Sequence, residues 1–178
     1  MKALFKLKAM AFFAGAFLVS SVAMAQDAKP MPSPRDSVSG TISGAIIKIN
    51  YGAPSVRGRK IFGGLEPYGK IWRAGANQAT TFETNKEIKV EGKALPAGKY
   101  SLYATPGEKE WSIIFNSVPN QWGIKRDGST TDDPAKDVLV VKVKAKSTSA
   151  LVERLVYKID KNSFSLIWEN TEVPVKIK

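Results

Sequence analysis

The chain has 178 residues, 27 lysines and arginines against 16 acids, a formal net charge of +11, and neither histidine nor cysteine. Those two absences exclude Ser-His-Asp and Cys-His nucleophilic catalysis, remove the commonest zinc ligand and leave disulfides no part in stability. The positive charge suits a well-solvated surface or attraction to anionic envelope surfaces and acidic glycans. It does not point to nucleic acid, because the lysines are dispersed and no recognition helix is visible.

The first eight residues carry Lys2, Lys6 and Lys8 and no acid. Ala9 to Val22 is an apolar run, too short to span a bilayer comfortably, and it ends at Ala23-Met24-Ala25. A basic start, a short apolar core and a small-x-small site predict a cleavable signal peptide over residues 1–25. The expected product is exported to the periplasm or beyond. Gln26 follows the site where a lipoprotein would carry cysteine, so no stable membrane anchor is expected after cleavage. Cleavage removes three lysines and no acid, which leaves 24 basic residues against 16 acids and a net charge of +8. Residues 26–36 contain Pro30, Pro32 and Pro34, which block helix and central strand alike. They read as an extended tether.

Residues 37–178 read as a single β domain. Ile47, Ile49 and Tyr51 alternate with polar residues, and so do Ile88 and Val90, Tyr100 and Leu102, and Val141 and Val143, while Leu155, Tyr157 and Ile159 alternate with Val156 and Lys158. Phe164, Leu166 and Trp168 follow, then Val173, Val175 and Ile177. A period of two is the signature of half-buried strands. Turn formers separate the runs: Glu91-Gly92-Lys93, Pro96-Ala97-Gly98, Pro106-Gly107-Glu108, Asp160-Lys161-Asn162 and Glu169-Asn170-Thr171. The pattern predicts an all-β fold, an antiparallel sandwich or barrel-like domain with few or no helices, whose C-terminal half is a meander. The lysines of Val141–Lys144 suit an edge strand guarded against pairing. Nothing in the pattern sets an oligomeric state.

Gly52 to Ala79 breaks the rhythm. It is rich in Gly, Pro, Arg and aromatics, and Ile61, Phe62, Leu65, Tyr68, Ile71 and Trp72 give it too much apolar surface for disorder. A long ordered, irregular loop is expected there.

That stretch also carries a family resemblance. Tyr51-Gly52-Ala53-Pro54-Ser55-Val56-Arg57-Gly58-Arg59-Lys60-Ile61-Phe62-Gly63-Gly64-Leu65 and Pro67-Tyr68-Gly69-Lys70-Ile71-Trp72-Arg73-Ala74-Gly75-Ala76-Asn77 resemble the signature of the bacterial domain of unknown function 2911 family. Leu95 to Leu102, the strand around Trp111 and Gln121-Trp122-Gly123 look like its later blocks. The resemblance covers nearly all of the mature chain. It implies an exported, β-rich bacterial domain and brings no activity with it.

The remaining motifs favour structure over chemistry. No Ser-x-x-Lys occurs, and Gly92 to Lys99 misses a phosphate-loop spacing by one residue, with Tyr100 where Ser or Thr must reach a metal. Asp127, Ser129, Thr131 and Asp133 alternate as in calcium loops, but Asp132 stands in the glycine position and Val138 in that of the closing glutamate. Glu66, Glu83, Glu153, Glu169 and Glu172 offer carboxyl groups, yet no spacing selects a glycosidase pair. No catalytic residue, metal or cofactor is therefore assigned.

One cluster carries a binding chemistry: Tyr51, Arg57, Arg59, Tyr68, Trp72, Arg73 and Asn77, with Trp122 as a further wall. Arginine offers a planar fork for carboxylate or phosphate, Trp and Tyr offer flat faces with a polar tip, and Asn both donates and accepts. Together they suit a small polar, glycan, peptidic or anionic ligand. The competing expectation is that they satisfy the loop's own backbone groups. The expected function is a non-catalytic exported binding module. The alternatives are a periplasmic hydrolase or isomerase using a carboxylate with Arg or Tyr, and an envelope structural or interaction protein.

Overall fold

The computed structural model describes residues 32–178. The expected signal peptide and most of the tether lie outside them. Ten strands follow in chain order: β1 (Arg35–Ile42), β2 (Ala45–Gly52), β3 (Thr80–Thr84), β4 (Ile88–Val90), β5 (Lys93–Leu95), β6 (Gly98–Thr105), β7 (Glu110–Asn116), β8 (Asp137–Lys144), β9 (Lys146–Asp160) and β10 (Ser163–Lys176). The helical content of the described residues is one 3-10 turn, Pro134–Lys136, capped by Asp133.

Six strands form one antiparallel sheet in the order β1-β2-β3-β6-β7-β8. Two tight turns use the left-handed pairs Ser43-Gly44 and Glu91-Gly92. A hairpin whose central residues both have positive φ matches the right-handed twist of its strands. The lysine-bearing strand β8 is a sheet edge, in keeping with the Val141–Lys144 pattern.

The expected C-terminal meander holds for β6, β7 and β8 but not beyond. β9 and β10 leave the sheet as a long hairpin of their own. Their apolar residues share one core with the inner rows of the sheet. At the chain end, Lys89 and Lys178 exchange main-chain hydrogen bonds at 2.7 and 2.9 Å, which ties the hairpin to β4. The result is an open sandwich, a large sheet facing a smaller layer. The core is aromatic at its centre: Phe62 meets Trp111 edge-on at 4.7 Å, and Trp72 stacks on Trp168 at 5.9 Å. Such pairs add about 0.5–1.5 kcal/mol each beyond the area they bury.

The outer face of the sheet carries a polar row, Asn50, Thr81, Ser101, Asn116, aligned by the strand register. Thr81, Ser101 and Asn116 are nonetheless buried. The 117–133 loop folds over them: Ser101 Oγ donates to the Val118 carbonyl at 2.8 Å, and Asn116 binds both ends of the loop. Beside it, Ala79, Tyr103 and Ile114 form a second small apolar cluster with Ile71 packed against it.

Candidate functional site

The segment between β2 and β3 is irregular, as expected, and is held at many points. Gly52 and Gly75 let two backbones cross: a side chain on Gly52 would lie 2.1 Å from the Ala76 carbonyl oxygen. The Ala74 carbonyl accepts from both the Thr80 and Tyr157 hydroxyls at 2.9 Å, inside the core. Glu169, at a bulge in β10 and at φ 55°, accepts from the Ile61 amide at 3.0 Å.

Most of the eight residues singled out from the sequence serve this scaffolding. Arg59 Nε donates to the Val56 carbonyl at 3.0 Å and its Nη2 to that of Ser55 at 2.7 Å. Arg57 Nη2 donates to the Pro32 carbonyl at 3.0 Å and Asn77 Nδ2 to that of Ser33 at 2.9 Å. Both residues stand at positive φ, 50° and 65°. Together with the Ala53 amide, which donates to Pro34, they strap the segment that leads into β1. Trp72 and Tyr51 are core residues; the Tyr51 hydroxyl receives the Tyr157 amide and donates to Asp36, both at 3.3 Å. These five do not converge on one concavity.

Tyr68 is exposed beside a depression of about 80 Å³ floored by Phe62 and Trp111 and flanked by Glu108 and Lys146. Ligand pockets run from about 300 to 1,000 Å³, so this one admits a few waters and no sugar ring.

Arg73 and Trp122 remain, and they meet. Arg73 Nη1 donates to the Trp122 carbonyl at 3.3 Å, and its guanidinium carbon lies 6.0 Å from the indole centroid. Gly123, at φ 89°, brings the loop this close; a side chain there would stand 2.7 Å from Arg73 Cβ. The Ala79 amide donates to the Gln121 carbonyl at 3.0 Å and fixes the loop from the other side. The Trp122 side chain is left 56% exposed.

Arg73 also draws in groups that no sequence pattern singles out. Burial pushes the Glu66 carboxyl up to about 7, against the opposing pull of Arg73 and then Arg59. Burial lowers the Arg73 guanidinium, and Glu66 and Tyr103 oppose that effect. Burial likewise raises the Tyr103 phenol, whose hydroxyl lies 3.0 Å from Thr131 Oγ1. The other acids considered from the sequence are differently placed. Glu153 accepts from the Arg57 amide, Glu169 from Ile61, Glu172 from Ser165, and Glu83 sits opposite Lys48 and Lys99 in the sheet register. Among the described residues no three acidic side chains gather into a metal site. What Arg73 and Trp122 offer together is a stacking face and a cation, with the raised Glu66 carboxyl group within electrostatic reach of Arg73.

The family model for the protein of unknown function DUF2911 matches residues 33–177. The chain belongs to the DUF2911 family. The match spans the whole β domain, including the strapped segment, Arg73 and Trp122. No curated protein and no solved structure matches this DUF2911 chain.

Proposed function

We propose that this DUF2911 domain acts after export as a non-catalytic binding module for a small polar or glycan-type ligand, held at the surface of Trp122, Arg73 and Glu66. The supporting observation is the exposed Trp122 indole clamped through its own main chain by Arg73. Leaving a tryptophan more than half in water forgoes burial worth about 2 kcal/mol for a large apolar side chain. Fixing its backbone in place at the same time pre-organises a flat face for a sugar ring or a peptide side chain. Export is read from the basic start, short apolar run and Ala23-Met24-Ala25 of the sequence.

A thermal-shift screen of the mature protein against neutral and acidic sugars, peptidoglycan fragments and short peptides tests the reading. A ligand at 100 times its dissociation constant adds about 2.7 kcal/mol of stability. The shift should vanish in Trp122→Ala. A ligand that stabilises wild type and Trp122→Ala alike would place the site elsewhere.

One observation favours a second reading, a hydrolase or isomerase. Glu66 is a carboxyl group poised near 7 beside a cation, the state a general acid or base needs. Turnover of any glycan or peptide in that screen, lost in Glu66→Gln and falling off on one side of about pH 7, would move the assignment from binding to catalysis.

A further inference from the structure

Two buried side-chain atoms among the described residues lack a hydrogen-bond partner: Trp168 Nε1 in the core and Asp132 Oδ2 at the back end of the 117–133 loop. The second is the more costly, because an ionised carboxylate out of water needs compensation. Asp132 is 8% exposed. Its other oxygen accepts from Asn116 Nδ2 at 3.2 Å. That same nitrogen donates to Asp137 Oδ1 at 2.9 Å and to the Asp133 carbonyl at 3.0 Å. An amide nitrogen has two hydrogens, so three acceptors share them and at least one contact is a weaker three-centre bond. The charges acting on Asp132 are acidic, Asp137 from the start of β8 and Asp133 beside it. Tyr103, the titratable group on the β6 side, is a phenol raised by burial and therefore neutral in this range. A buried carboxyl group with a like charge bridged to it through one amide holds its proton more tightly than a free one.

Asn116 is also the point where the loop closes. Its Oδ1 accepts from the Val118 amide at 3.1 Å and from Gln121 Nε2 at 3.2 Å, at the front of the loop. Its Nδ2 holds Asp132, Asp133 and Asp137 at the back. Trp122 lies between the two ends.

We propose that Asp132 holds a proton beside Asp137, and that this proton latches the 117–133 loop onto Asn116 and so holds Trp122 in place. With the proton, the Asp132 carboxyl group becomes a donor and no longer repels Asp137. Without it, like charges repel across Asn116 and the loop lifts at its back end. Burial, with Asp137 next, pushes the Asp132 carboxyl up to about 6 from 3.8, while Asn116 opposes. The closed loop therefore binds the proton more tightly than the open one. Opening becomes easier as pH rises from about 4 to about 6 and then levels off. The latch stands on its own geometry; its bearing on ligand binding rests on the reading of Trp122 given above.

Hydrogen exchange on the ligand-free mature protein tests the latch without reference to any ligand. Amide protection in the loop, at Val118, Thr131 and Asp132, is compared with that of Phe115 in β7 at about pH 4.5 and about pH 7.5, corrected for intrinsic rates. The latch predicts a loss of relative loop protection on the order of tenfold at the higher pH. The ceiling is on the order of a hundredfold, set by a carboxyl that titrates at 3.8 when the loop is open and at about 6 when it is closed. Asp132→Asn keeps the shape and removes the titration, so its loop protection should not depend on pH. Should the first variant fail to fold, Asp137→Asn removes the like charge and leaves Asp132 raised by burial, so its pH dependence should be smaller than that of the wild type. Equal relative protection at both pH values in wild type, or a wild-type slope retained in either folded variant, would overturn the proposal.

Discussion

Arg73 holds Trp122 twice, by a 3.3 Å hydrogen bond to its carbonyl and by a guanidinium 6.0 Å from its ring. The first contact fixes the backbone, and the second biases the ring without covering it. Trp122→Ala should therefore leave stability nearly unchanged, within about 0.5 kcal/mol, because an exposed side chain contributes little to the fold. Arg73→Ala should cost more, about 1–2 kcal/mol, because the Trp122 carbonyl loses its donor and the arginine stem leaves packing behind. Urea unfolding of the two variants separates these outcomes.

Glu66 makes stability depend on pH with a definite sign. Its folded carboxyl keeps its proton to about 7, whereas the unfolded group titrates near 4.5. Between those values the folded state binds more protons, so stability is fully present below about 4.5 and falls as pH rises through about 7. The loss is on the order of 1–3 kcal/mol. Glu66→Gln should flatten that profile and be the more stable protein at pH about 8, a comparison that denaturant midpoints at several pH values provide.

Gly123 sits at φ 89° with Arg73 Cβ, Arg73 Cδ and Ala79 Cβ between 2.7 and 3.1 Å from where a side chain would begin. Gly123→Ala combines left-handed strain with a clash against backbone-proximal atoms. It should destabilise by about 1–3 kcal/mol and shift the Trp122 indole resonance. An unchanged melting temperature would show that the loop is not seated against Arg73.

Arg57 and Asn77 should behave as structural straps. Arg57→Ala and Asn77→Ala each remove one side-chain bond to the leading segment, at a cost of about 0.5–1.5 kcal/mol. The readout is faster proteolysis around Pro32–Pro34, with any ligand response at Trp122 retained. Loss of ligand response in Asn77→Ala would return this residue to the binding surface.

The strands are legible in the sequence wherever apolar and polar residues alternate. Ile47, Ile49 and Tyr51 lie in β2, Val141 and Val143 in β8, and Phe164, Leu166 and Trp168 in β10. β1 and β3 leave no such trace because their sequences, RDSVSGTI and TTFET, hold few apolar residues. In β3, Thr80 and Thr84 fill inner positions beside Phe82, and a buried threonine leaves no hydropathy signal. The departure of β9 and β10 from the meander is invisible for a different reason. Alternation tells which face of a strand is buried but not which strand is its neighbour. At the site, residue type is readable and destination is not. Arg59 and Arg73 look alike in sequence, yet one ends on its own loop's carbonyls and the other reaches a residue 49 positions away. Glu66 owes its character to burial, and Asn116 meets Asp132 and Asp137 across 16 and 21 positions. No local pattern encodes such meetings.

The binding surface is tested most directly by following the indole N–H resonances of Trp72, Trp111, Trp122 and Trp168 while sugars, peptidoglycan fragments and peptides are added to the mature protein. The buried three report the core and Trp122 reports the surface. The account predicts that a saturating ligand moves the Trp122 indole and the Arg73 Nε–H while Trp111 and Trp168 stay still. A ligand that binds and leaves Trp122 and Arg73 unmoved, with its shifts mapped to the depression beside Tyr68 or to the basic surface, would contradict it.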